Sequence, residues 1–204
     1  MIHLSTPIDK NVLYKYAFDI FKYICYTILI TIRQVQFMRI SPSLFLIPAT
    51  ELAPLLIGKL ICRRTAEGVL RLRITETECY YGESDSACHA HHGKTQRNAP
   101  MYLHGGYTYI YLCYGIHNLL NIVSGPEGHP EAVLIRGVEG YGGPGKLTKA
   151  MSIDRSLNSI DLNASNELWL EDDGLTLPFH TDRRVGIDYA NPIDRDRLWR
   201  YIAD

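Results

Sequence analysis

The sequence has no surplus of positive charge. Lys and Arg number 21 against 22 Asp and Glu, leaving a formal net charge of −1 at pH 7. A nucleic-acid binder usually carries a basic excess, so the total argues against that class unless the basic residues share one face. The last third does collect acids, with Glu171, Asp172 and Asp173 in a row. Cysteines are few: five, an odd number without paired spacing, which fits a reducing cytoplasm better than a disulfide framework. A long apolar run is missing as well. Val12 to Ile32 is rich in Tyr, Ile, Leu and Phe, but Lys15, Asp19 and Lys22 interrupt it. The cleaner stretch, Tyr23 to Ile32, falls short of the ~20 apolar residues a membrane span requires. Nor does an apolar core near the start lead into small residues, as in a signal peptide. Internal repeats and low-complexity tracts are absent.

What is present is a 204-residue chain, long enough for one well-buried domain. Tyrosine stands out, with 14 against 5 Phe, a residue that offers a flat apolar face and a polar tip. Organised patterning begins after Met38. Residues 1–37 are therefore read as an N-terminal extension and 38–204 as a single domain. Three readings of the extension remain: a helix packed on the domain, a peripheral membrane contact, or upstream sequence before a start at Met38. No function is placed on it.

From Ser41 the elements follow in order. Thr50 is expected to cap a helix beginning at Glu51, with Pro54 in its first turn and Gly58 as its stop. Lys59–Arg64 and Val69–Cys79 read as strands around a turn at Glu67-Gly68. Residues 82–106 are loop-like. Tyr107–Tyr114 and the run through Val123 form a β-hairpin with its tip at Tyr114-Gly115. Glu131–Val138 is a further strand, Gly142–Gly145 a turn, and Lys146–Met151 a helical start. A last short strand is expected around Val185–Ile187. Together these predict an α+β domain: a curved antiparallel sheet, flanking helices and a protruding hairpin.

Three clusters could carry chemistry. On a strand, Glu76, Glu78 and Tyr80 project from one face, while Thr77 and Cys79 project from the other. Two carboxylates and an aromatic make a poor core but a plausible catalytic rim; a solvated surface is the competing reading. The loop Asp85–Gly93 holds His89, His91 and His92. No second ligand set follows at zinc-like spacing, so a histidine stacked beside the strand end is preferred to a metal site. In the third cluster, Tyr109 and Tyr111 share a face and Tyr114 sits at the hairpin tip. An aromatic there can wedge between base pairs, or fold back on its own hairpin.

Taken together, ETECY (76–80), His89 nine residues past Tyr80, YIYLCYG (109–115), Asn121, AVLIR (132–136) and GPGKL (143–147) resemble the alkyladenine, or 3-methyladenine, DNA glycosylases in order and spacing. The likeness covers about residues 41 to 190 and leaves the first 37 outside. It implies a base-excision-repair enzyme that flips alkylated or deaminated purines (3-methyladenine, 7-methylguanine, hypoxanthine) from duplex DNA and hydrolyses the N-glycosidic bond. By motif, Glu78 activates the water and Arg136 helps hold it. Tyr80 and His89 face Tyr111 across the base, and Asn121 screens against the 2-amino group of guanine. Tyr114 fills the gap in the duplex, with Ile116 as an apolar companion where some members have methionine. Thr95-Gln96-Arg97-Asn98 departs from the T-P-R-N of many members, which relaxes that loop.

The physics accords with these roles. Stacking is worth ~1–3 kcal/mol per base, and extrusion is cheapest where damage has weakened pairing. Electron-rich tyrosines favour a cationic alkylated base. Glu78 beside Arg136 is expected to stay ionised near neutral pH. The expected partner is damaged double-stranded DNA, with no cofactor, metal, lyase step or obligate protein partner. A cytoplasmic monomer follows, nucleoid-associated in a prokaryote. A non-catalytic DNA-binding module and a free-nucleoside hydrolase are the alternatives.

Overall fold

A computed structural model describes Tyr14, residues 18–24 and residues 37–204. Contacts divide the chain into residues 1–36 and 37–204. In the first unit, residues 18–24 are helical, with Lys22 Nζ 4.7 Å from the centre of the Phe18 ring. The remaining readings placed on Val12 to Ile32 lie outside the described residues. Among the described residues, no helix is long and apolar enough to cross a membrane.

The second unit is built on ten strands, every one paired antiparallel: β1 (Met38–Arg39), β2 (Leu60–Thr65), β3 (Gly68–Tyr81), β4 (Thr108–Cys113), β5 (His117–Ser124), β6 (Glu131–Val138), β7 (Tyr141–Gly142), β8 (Leu168–Asp172), β9 (Phe179–Asp182) and β10 (Arg200–Ala203). The main path runs β1-β8-β2-β3-β6-β5-β4, with β10 joining β3 to β9. Three short helices accompany it: α1 (Ala49–Leu55), α2 (Pro144–Ala150) and α3 (Pro192–Arg195).

The 14-residue β3 is the spine. Its first half pairs with β2 through Leu60↔Arg73; past the bulge around Glu76 its second half pairs with β6 and β10. A bulge adds local twist and re-aims the side chains beyond it, here Glu76, Glu78 and Tyr80. Gly137 lies opposite Glu76, where a Cβ would stand 3.0 Å from the glutamate Cβ, a tight approach that glycine avoids. Alternation then sorts the sheet. Thr77, Cys79, Ile110, Leu120, Ile122, Val133 and Ile135 turn to the core. Thr77 Oγ1 donates to the Ala53 carbonyl of α1 at 2.9 Å.

Several expectations need correction. The helix begins at Ala49, not Glu51, and Thr50 caps nothing. Instead Glu131, 82 residues away, accepts the Ala49 N–H at 2.7 Å, and Pro54 falls near the helix end. α2 begins at Pro144, ahead of the expected Lys146. Val185–Ile187 is not a strand but a bend; β8, β9 and β10 supply strands that were not anticipated.

Candidate active site

The face of β3, β6, β5 and β4 opposite the core is the floor of a cavity of about 450 Å³, within the range of small-ligand sites. Tyr80 on β3, Leu134 and Arg136 on β6, Asn121 on β5, and Tyr109 and Tyr111 on β4 all point into it. The loops around His89, Gly143–Lys146 and Val185–Tyr189 form its walls.

Glu78 lies one layer beneath this floor. It has no exposed surface, so the solvated-surface reading does not hold. Its Oε1 accepts the Val185 N–H at 2.8 Å, and its Oε2 accepts the Tyr80 hydroxyl at 3.0 Å. Arg136 Nε stands 3.5 Å from Oε1 and 2.9 Å from Glu76 Oε1. The short contact to Glu76 is poorly aligned, leaving that Nε–H without a true hydrogen bond. Glu76 is held instead by Arg200 of β10, whose Nε donates to it at 2.6 Å. Tyr80, Arg136 and Val185 all line the cavity and all touch or flank Glu78. The carboxylate itself does not line the cavity; its contacts to Tyr80, Arg136 and Val185 connect it to the lining.

Burial pushes the Glu78 carboxyl above its ordinary range; the Arg136 charge, the Val185 N–H and the Tyr80 hydroxyl pull it back without cancelling the rise. Arg136 favours the ionised form, and burial opposes it more strongly. Desolvation dominates because the carboxylate is fully buried.

The histidine loop contributes one ring. His89 Nδ1 lies 2.9 Å from the Tyr109 hydroxyl and its ring meets Tyr111 edge-on at 4.6 Å. Burial, aided by Arg97, lowers its pKa to about 4, so it is neutral at physiological pH. His91 Nδ1 instead meets the Glu83 carbonyl, and no metal-holding cluster exists among the described residues. The loop does not need its missing proline. Asn98, buried, donates to the His89 and Gly93 carbonyls at 2.8 and 3.0 Å and accepts the Thr95 N–H. The Asn121 amide is fixed by contacts to the Tyr109 and Leu119 carbonyls at 3.1 and 3.4 Å.

At the hairpin tip Tyr114 is 90% exposed and holds φ +50°, followed by Gly115 at φ +72°. A left-handed tyrosine with its ring in solvent is strained and unrewarded by packing. Ile116 beside it is also exposed.

Sequence reasoning missed two contributors. Val185 acts through its backbone, which leaves no signature in residue type. Arg184 is sealed, with its guanidinium paired to both carboxylate oxygens of Asp85 and donating to the Cys79 carbonyl at 2.9 Å. That clamp fixes the chain one residue before Val185.

The charge balance also resolves. Glu171, Asp172 and Asp173 are engaged by Arg71, Lys59 and Arg73 at 2.7, 2.7 and 2.6 Å on the β8-β2-β3 part of the sheet. Near the cavity and hairpin, Lys94, Arg97, Lys146 and Lys149 form no ion pair among the described residues. The acidic run of the last third is thus neutralised by partners on its own part of the sheet, away from these four cations.

Residues 43–142 and 140–204 match the family model described as Methylpurine-DNA glycosylase. The chain belongs to that family. A relative from Psychrobacter cryohalolentis is 42% identical over 193 residues, covering 80% of this chain and 91% of its own. One from Borreliella burgdorferi is 44% identical over 175 residues, covering 78% and 94%. One from Methanocella arvoryzae is 42% identical over 174 residues, covering 76% and 86%. All three bear 3-methyladenine DNA glycosylase as a provisional name. Membership places the chain among DNA-repair hydrolases of N-glycosyl bonds and makes DNA its substrate.

Proposed function

We propose that the protein extrudes a damaged purine from duplex DNA and hydrolyses its N-glycosidic bond with a water activated by Glu78. The observation that carries this reading is the meeting of Tyr80, Arg136 and Val185 over the Glu78 carboxylate at the floor of an aromatic cavity. The flipped base stacks among Tyr80, His89 and Tyr111. Asn121, its amide pinned to the backbone, occupies the floor where a 2-amino group would sit. Tyr114, with Ile116, enters the vacated position in the helix, and its strained, exposed geometry suits a wedge. Lys94, Arg97, Lys146 and Lys149 supply the phosphate-facing charge.

In the reaction the water oxygen bonds to the anomeric carbon as the C–N bond breaks. The departing purine takes the bonding electron pair, and Glu78 takes the proton. A raised carboxyl pKa suits this task, because a buried carboxylate is a stronger base toward the water proton than a solvated one. Arg136 steadies the carboxylate and the water. The product is an abasic site. Lys146 lines the cavity but is solvent-exposed, unlike the desolvated lysines that act as nucleophiles, which supports a monofunctional reaction. The enzyme's catalytic domain is residues 38–204, working as a monomer without a cofactor.

The test is incubation with a duplex carrying one hypoxanthine or one 3-methyladenine analogue, followed by alkaline cleavage. Strand scission only after alkali, with no adduct trapped by borohydride, is the expected result. Absence of abasic sites on every lesion overturns the reading; a trapped adduct overturns its monofunctional part.

A further inference from the structure

Two tyrosines lining the cavity carry a guanidinium of the protein on their rings. Arg97 Cζ lies 5.2 Å from the centre of the Tyr111 ring, and Arg184 Cζ lies 4.9 Å from the centre of Tyr80. Both tyrosines line the cavity, whereas neither arginine does. A ring already facing one cation has less negative potential to offer a second, and two like charges across a low-dielectric wall repel.

The two arginines differ in how far their charge is cancelled. Arg184 is paired with Asp85 through both carboxylate oxygens. Arg97 is exposed and has no carboxylate partner among the described residues, so solvent alone screens its charge at Tyr111. Its reach into the cavity is visible at His89. After burial, Arg97 is the cause that disfavours a positive charge on that ring. A flipped base bearing a positive charge meets the same penalty in the same place.

We infer that Arg97 is a specificity-determining residue that biases the cavity toward neutral purine lesions, such as hypoxanthine, and against cationic N3- or N7-methylated ones. The inference rests on the glycosylase reading above. It reverses the preference expected from tyrosine electrons alone, because the protein's own cations have already claimed part of that attraction. Cationic bases remain better leaving groups; what Arg97 lowers is their occupancy of the cavity.

The experiment compares wild type, Arg97→Gln and Arg97→Lys on duplexes with one 7-methylguanine or one hypoxanthine. Single-turnover release is measured, with spontaneous loss subtracted. Any phosphate contact made by Arg97 affects both duplexes alike and cancels in the ratio of the two rates. Arg97→Gln is expected to raise the 7-methylguanine to hypoxanthine ratio by roughly three- to tenfold, and Arg97→Lys to leave it near wild type. A ratio unmoved by Arg97→Gln overturns the inference while the glycosylase reading stands. Wild-type protein that releases neither base overturns both.

Discussion

The backbone N–H of Val185 donates to Oε1 of Glu78 at 2.8 Å, joining a loop to a strand 107 residues earlier in the chain. This contact, with the Tyr80 hydroxyl on the other oxygen, decides which way the carboxylate points and how firmly it holds a proton. Glu78 is buried beneath its partners, so its protonation state depends on them more than on solvent.

The first prediction concerns pH. A general base must be unprotonated, and burial raises the Glu78 pKa. Activity should therefore fall on the acidic side at a higher pH than for a solvated glutamate. Tyr80→Phe removes a hydrogen bond that favours the ionised form, and Arg136→Gln removes the opposing charge. Both should move the acid limb of the single-turnover profile further up in pH. A limb that stays in place in both variants would remove Glu78 as the titrating base.

How much of this was legible in the sequence depends on what each residue contributes. Period-two alternation placed Glu76, Glu78 and Tyr80 on one face, and apolar runs marked β6 and the hairpin. Those signals are local and carried by side chains. The start of α1 was misplaced because its cap is the carboxylate of Glu131, 82 residues away. β10 was missed because Arg200–Ala203 is only four residues long and becomes a strand by occupying the edge that β3 exposes past its bulge. Val185 gives only a backbone donor, which any non-proline residue supplies. Arg184 reads in sequence as one of several surface arginines. Only the fold seals it against Asp85 and beneath Tyr80.

The second prediction tests that seal. Arg184 and Asp85 have fully buried side chains, so removing either partner strands a charge. Asp85→Ala should cost about 3–5 kcal/mol in chemical denaturation. A loss under about 1 kcal/mol, the scale of an exposed pair, would show that the pair is not buried in solution.

The third prediction separates function from folding at the hairpin. Tyr114 is left-handed and its ring packs on nothing, so Tyr114→Gly relieves strain at a φ that glycine accepts. The melting temperature should hold or rise slightly. Affinity for a lesion-containing duplex should fall by about tenfold or more, since a wedge offsets unstacking worth a few kcal/mol. Unchanged affinity, measured by fluorescence anisotropy, would remove Tyr114 from the DNA interface.

The most direct test of the central claim is single-turnover release of hypoxanthine from duplex DNA by wild type and Glu78→Gln, with duplex binding measured on the same samples. Glutamine keeps the size and the contacts to Val185 and Tyr80 but cannot take the proton from water. Binding should survive, while the rate of abasic-site formation falls by roughly 10²–10⁴-fold. Release at the wild-type rate by Glu78→Gln, with binding intact, would contradict the account.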